Sequence, residues 1–176
     1  MYPFVRMFNG IRKSRTAAPL GLTDTHVSHH ICWPWDLDLW VELNNGRTLT
    51  LFDLGRIPLA MRTGLAGVLR RQGWGITVAG NTIRYRRRVR VFDRLEMHSR
   101  CIGWDHRFLY MEQSMWNRDD CTSHMLIRSA VTSPAGIVPP EQVLAAMGRP
   151  QASPELPDWV MAWIAADALR PWPPQK

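Results

Sequence analysis

One segment limits the fold more than any other. Between Leu49 and Met61 the chain carries Leu51, Phe52, Leu54, Ile57 and Leu59 as well, an apolar load too heavy for one face of a surface helix. A helix of this kind has to be wrapped by something else. Asn44 and Asn45 stand just before it with short polar side chains suited to capping orphan amide groups, so the helix is predicted to open there. Gly55 and Pro58 predict a kink or a break near Arg56, with a shorter helix from Leu59 to Arg71 ending before Gly73.

The segments around that helix have the opposite period. Residues 25–33 are rich in β-branched and aromatic side chains and stop at Pro34, which reads as a strand. Residues 75–91 are strand-like, with Gly80 a candidate bulge. Two more strands, 94–104 and 107–116, flank a tight turn at Asp105–His106, and 121–131 pairs back across the turn at 117–120. Short helices follow at 141–147, after Pro139–Pro140, and at 157–169. A strand, a buried helix and then consecutive antiparallel strands predict an α+β fold with the sheet curled around the helix. Such a sheet leaves an exposed edge, which predicts pairing with a second copy as a homodimer.

With 176 residues the chain fits one main domain. It divides into a basic amphipathic segment at 1–24, the domain at 25–150, and a C-terminal helix with a Pro-rich tail at 151–176 packed on it. Phe4, Met7, Phe8 and Ile11 have helical spacing. A face like that either covers its own domain, the preferred reading, or makes peripheral contact with a membrane surface. The segment lacks the apolar core of a secretory signal, and no run of about 18 apolar residues is present to span a bilayer. Three cysteines without CxxC spacing argue against a disulfide framework and for a reducing compartment, the cytoplasm.

Chemistry concentrates in two places. Asp36 and Asp38 stand one residue apart just before the helix, with Glu42 close by. A carboxylate beside free helix N–H groups can act as a base where an oxyanion is stabilised, or it can simply tighten the turn and cap the helix. The second place is arginine-rich. Twenty of the 22 basic residues are arginine, against 15 acidic residues and a net charge of +7. As one strand, residues 84–90 put Arg84, Arg86, Arg88 and Arg90 on one face and Tyr85, Arg87 and Val89 on the other. This stripe suits either a phosphate-bearing ligand or a charged edge that resists aggregation. No recognised nucleic-acid motif accompanies it, so nucleic acid is not the expected partner. His26 and His30 fall on one strand face and His29 on the other, poor geometry for a shared ion, so no metal site is expected. Without a GxSxG elbow, serine-hydrolase chemistry is not expected either.

The pattern formed by Asp36, Asp38, Asn44, Asn45, Gly46, Arg47, Asp53 and Arg56 resembles the hotdog-fold acyl-CoA thioesterases of the 4-hydroxybenzoyl-CoA thioesterase type. Ile83-Arg84-Tyr85-Arg86-Arg87, Phe92-Asp93-Arg94, Gly103-Trp104-Asp105 and Glu155-Leu156-Pro157 look like the branch called thioesterase superfamily member six-like. The resemblance runs from Thr25 over nearly the whole remaining chain. It implies a hotdog fold, an antiparallel sheet around a long central helix, assembled as a homodimer or a dimer of dimers. It implies an acyl-CoA substrate, with Asp38 as nucleophile or general base and the Asn45 and Gly46 amides as oxyanion donors. Asn44 would orient or cap, and Arg84, Arg86, Arg87 and Arg88 would bind the coenzyme A phosphates. One carboxylate with an oxyanion site suffices for a thiolate leaving group, so no cofactor is implied. Asp53 either pairs with Arg56 or Arg47, the preferred reading, or serves as a second carboxylate. The family pattern has Gly-His where this chain has Val41-Glu42, which brings in another carboxylate and suggests an alternative, a non-catalytic acyl-CoA or lipid-binding hotdog protein.

Overall fold

The structure, a computed structural model, describes residues 2–174. Met1, Gln175 and Lys176, the last two closing the Pro-rich tail, lie outside the described residues. Helix α1 (Phe4–Thr16) precedes strand β1 (His26–Ile31), and α2 (Asn45–Arg62) and α3 (Leu65–Gln72) come next. Strands β2 (Gly75–Tyr85), β3 (Arg94–Trp104), β4 (Leu109–Asn117), β5 (Asp120–Ser133) and β6 (Gly136–Val138) follow, and then α4 (Pro140–Ala146) and α5 (Asp158–Ala168). The sheet runs β1-β3-β4-β5-β2 with β6 also on β5, and every pairing is antiparallel. This is the α+β arrangement expected, and β1 and β2 are its two edges.

Helix α2 is the wrapped element. Leu51, Phe52 and Leu54 pack against Met97, Met115 and Met125 from β3, β4 and β5. The helix can approach this closely because residue 55 is glycine. A Cβ there would sit 2.6 Å from Ser99 Oγ and 2.7 Å from Met97 Sδ. The expected break near Arg56 is absent. Helix α2 runs through Pro58 to Arg62, and the chain turns only at Gly64, whose φ of +88° suits a residue without a side chain. The lost N–H of Pro58 is tolerated because Leu54, Gly55 and Leu59 are held against the sheet while Gly10 of α1 packs over the proline ring. The shorter helix that follows is therefore Leu65–Gln72, not 59–71.

Strand β2 shifts register between Val78 and Gly80, where a bulge was expected, but it ends at Tyr85. The arginine alternation expected through Arg90 is thus corrected: only Arg84 of that stripe lies in the strand. Beyond Tyr85 the Arg86 and Arg87 amides both donate to Thr122 O, at 2.8 and 3.2 Å, and the chain leaves the sheet edge to cross toward β3.

Helix α1 packs on its own domain through only part of the expected face, since Phe4 and Phe8 remain more than half exposed. Ser14 Oγ lies 3.3 Å from Met61 Sδ, and Met7 joins the core around α2. On the other sheet face α5 buries Val160 against Tyr110 and Leu126. Arg128 ties it down through an ion pair to Asp167 at 2.7 Å and stacks its guanidinium over Phe108 and Trp163.

The inner face of β1 carries a pH dependence. His26 Nδ1 accepts a 2.9 Å hydrogen bond from Arg62, and His30 pairs with Ser28. Burial first, then neighbouring cations (Arg62 for His26, Arg6 for His30), pushes both imidazoles down from 6.5 to about 4. Between those values the unfolded chain binds protons that the native state refuses. Stability is therefore full above about 6.5, falls with pH through the window, and levels off below about 4. Chemical denaturation at about pH 5 should show a loss on the order of 1–2 kcal/mol per histidine relative to neutral pH, and His26→Gln should remove its share of that slope.

Candidate functional site

The loop from Trp33 to Leu43 gives the two aspartates opposite surroundings. Asp36, 1% exposed, accepts from Trp33 N at 3.0 Å and from Arg6 at 2.6 Å, and faces Arg47 Nε at 3.6 Å. It anchors the loop to α1 and α2. Asp38 sits two residues on in a half-buried turn. Its Oδ1 accepts from the Trp40 and Glu42 amides at 2.9 and 3.3 Å, and its own amide donates to Glu42 O at 2.8 Å. Its Oδ2 accepts no hydrogen bond among the described residues, so one carboxylate oxygen remains open to a ligand. Val41 completes the turn with φ +59°. That is the conformation a glycine would take freely, so the Val41 departure keeps the turn at a cost of roughly 1–2 kcal/mol.

Asn44 caps α2, with Oδ1 accepting from Gly46 N at 2.8 Å and Arg47 N at 3.3 Å. Among the amides at the start of α2, Gly46 N–H is thus already engaged, while Asn45 N–H has no acceptor among the described residues. Asp38, Glu42, Asn45, Arg86, Arg87 and Arg88 line one pocket of about 280 Å³. Arg88 Nε lies 3.0 Å from Glu42 Oε1, and Arg87 Nε 3.6 Å from Asp120 Oδ1. Arg84 is not in this lining. It sits on β2 opposite His124, outside the group it was expected to join.

A second cavity, about 310 Å³, opens further along α2. Trp104, Leu109, Val143 and Leu144 wall it, with Ile76 and Val78 at the β2 edge. Asp53 and Arg56 sit in its lining, joined by a short ion pair as the preferred reading of that pair expected. Arg56 also donates to the buried Gln113 Oε1 at 2.8 Å, and Gln113 Nε2 donates to Phe52 O and Ser99 Oγ. Burial pushes the Arg56 guanidinium down to about 10. The two cavities share no lining residue.

Residues 32–164 match the family described as the Thioesterase-like superfamily. The chain belongs to this superfamily. Over 145 residues it is 34% identical to Protein THEM6 of Xenopus laevis, covering 81% of this chain and 69% of that protein. A probable thioesterase from Bartonella henselae superposes with a TM-score of 0.59 at 19% identity, over 66% of this chain and 97% of that one. The Staphylococcus aureus protein SAV2348, solved in complex with CoA, gives 0.64 at 9% identity, over 81% and 96%. The curled antiparallel sheet around α2 is the hotdog fold, shared with these solved structures.

Sequence reasoning missed Ser123. Its hydroxyl is buried with no hydrogen-bond partner among the described residues, and the residue lines the Asp38 pocket from β5. Nothing in the sequence distinguishes it from the other serines, because only the β2–β5 pairing brings it beside Tyr85.

Proposed function

We propose that the chain is an acyl-CoA thioesterase, hydrolysing the thioester to a free acid and coenzyme A at the Asp38 pocket. The observation that carries this is the convergence of Asp38, the first amide of α2 and Arg86–Arg88 on one cavity. The open Asp38 Oδ2 takes a proton from water as the water oxygen bonds to the thioester carbonyl carbon. The carbonyl oxygen gains negative charge, and Asn45 N–H donates to it at the positive end of α2. The C–S bond then breaks, and the thiolate leaves with little need of a proton. Arg86 and Arg87 take the coenzyme phosphates, and Arg88 does so by exchanging its Glu42 partner. A CoA complex of a protein with this fold supports that ligand class.

The apolar cavity receives the acyl group, and a dimer explains how it reaches Asp38. Along one chain, Thr77 at that cavity and Tyr85 at the Asp38 pocket are about 26 Å apart at strand rise. If β2 pairs antiparallel with its copy about Gly80, Gly75–Thr77 of one protomer lie opposite Ile83–Tyr85 of the other. Each active site then combines the Asp38 pocket of one protomer with the acyl cavity of its partner. Two inactive variants should therefore complement. Asp38→Asn and a cavity-filling Leu144→Trp, refolded together, should regain about a quarter of native activity, since half the dimers are mixed and hold one intact site in two. A mixture as inactive as its parents would separate the two cavities functionally.

Hydrolysis itself is tested with short, long and aromatic acyl-CoAs, followed by thioester absorbance. The Glu42–Arg88 pair favours a second reading, a binding module in which that carboxylate closes the phosphate site. Acyl-CoA bound without turnover on any substrate would establish it.

A further inference from the structure

Three segments of different origin pave the end of the domain at which α2 begins. The Trp33–Leu43 loop is pinned to the crossover that follows β2 by Leu43 N to Val89 O at 2.9 Å. That crossover is pinned to the end of β1 by Phe92 N to Cys32 O and Cys32 N to Asp93 O, at 2.7 and 3.0 Å. The start of α1 is fixed to the loop by the Arg6–Asp36 pair.

The surface so formed is apolar and cationic together. Trp35, Leu39, Trp40, Val41 and Phe92 are each 60% exposed or more, and Phe4, Val5 and Phe8 extend the patch along α1. Phe92, like Val41, is held outward at a positive φ that a bulky residue rarely adopts. Trp33 stacks on Trp35 at 5.4 Å and meets Phe92 edge-on at 6.0 Å, which ties the aromatic group into one unit. Between residues 86 and 94 stand five arginines and one aspartate, and all five arginines are exposed.

We propose that this end of the domain docks on an anionic lipid bilayer, inserting Leu39, Trp40 and Phe92 while Arg90 and Arg94, which stand outside the Asp38 pocket, meet the lipid phosphates. Aromatic rings seated at headgroup depth beside cationic side chains are the chemistry of a bilayer interface. A second copy fits poorly. The aromatic cluster adjoins β1, whereas the free edge proposed for dimer pairing is β2, at the opposite side of the sheet. Two such faces in contact would also set arginines against arginines, a repulsion that an anionic surface removes. Docking would hold the Asp38 loop at the lipid surface.

The test is flotation of the full chain, without acyl-CoA, on phosphatidylcholine vesicles with and without phosphatidylserine. Its outcome does not depend on whether the protein hydrolyses thioesters. Binding is expected only where phosphatidylserine is present and should weaken with added salt. Leu39→Ser/Trp40→Ser should reduce partitioning about tenfold, and so should Arg90→Gln/Arg94→Gln, with unfolding midpoints unchanged because these side chains are exposed. Absence of binding, binding indifferent to phosphatidylserine, or binding untouched by both variants would overturn the proposal. So would a native mass by light scattering that falls in the Leu39→Ser/Trp40→Ser variant, since the face would then be a contact between copies.

Discussion

Asp38→Asn is expected to lower acyl-CoA turnover about 10²–10⁴-fold, the usual worth of a positioned general base, with little change in KM. The substitution is nearly isosteric, and the turn around it should survive. The Asn side-chain oxygen can still accept from the Trp40 and Glu42 amides, which are the two bonds Asp38 Oδ1 makes now. What disappears is the basicity of the open oxygen. The arginines and the Asn45 amide stay in place, so acyl-CoA should still bind, and calorimetric titration with a slowly hydrolysed analogue would show it. Turnover that persists in the variant would move the chemistry to Glu42, which shares the pocket, or to Asp53. Those two are separable in turn, since Asp53 lines only the apolar cavity and is already committed to Arg56.

Elements governed by local pattern were legible in the sequence. The apolar load of α2, the strand periods of β3 to β5 and the capping asparagine all depend on neighbours a few residues away. So does the Asp53–Arg56 pair, at a spacing that sets two side chains on the same helix face. Breakers were weighed wrongly where packing outvoted them. Pro58 is tolerated because the sheet and α1 grip the helix on both sides, and the turn waits for Gly64. The end of β2 was hidden for another reason. Arg86 and Arg87 continue a strand-like composition, but their amides bond to a single carbonyl, that of Thr122, from a strand some 35 residues away. Ser123 was invisible for the same cause. A buried hydroxyl acquires meaning only from what the sheet lays beside it. The Asp-x-Asp pair lies between these cases: its position was legible, but the division of labour within it was not.

That division predicts a different result for the other aspartate. Asp36→Ala should destabilise the fold by about 3–5 kcal/mol, the scale of breaking a buried ion pair by removing one partner. An exposed pair would cost less than about 1 kcal/mol, and the size of the loss therefore reads out the burial of Asp36. Two groups lose a hydrogen-bond acceptor, the Arg6 guanidinium and the Trp33 amide, and the Arg47 guanidinium loses an ionic neighbour at 3.6 Å. Arg6 is the most exposed to the loss, because its Nη1 is already buried without a partner among the described residues. Asp36→Asn should cost less, since it can still accept from Trp33 N. Arg6→Ala and the double variant complete a cycle, and a coupling energy near zero would show that Asp36 acts through Trp33 rather than through α1. In thermal unfolding the alanine variant should melt roughly 10 °C lower. At a temperature where it remains folded its kcat should stay within a few-fold of native, because the Asp38 turn closes on its own backbone bonds. Loss of stability with retained rate at residue 36, and loss of rate with retained stability at residue 38, is the signature of one carboxylate that builds the loop and one that uses it.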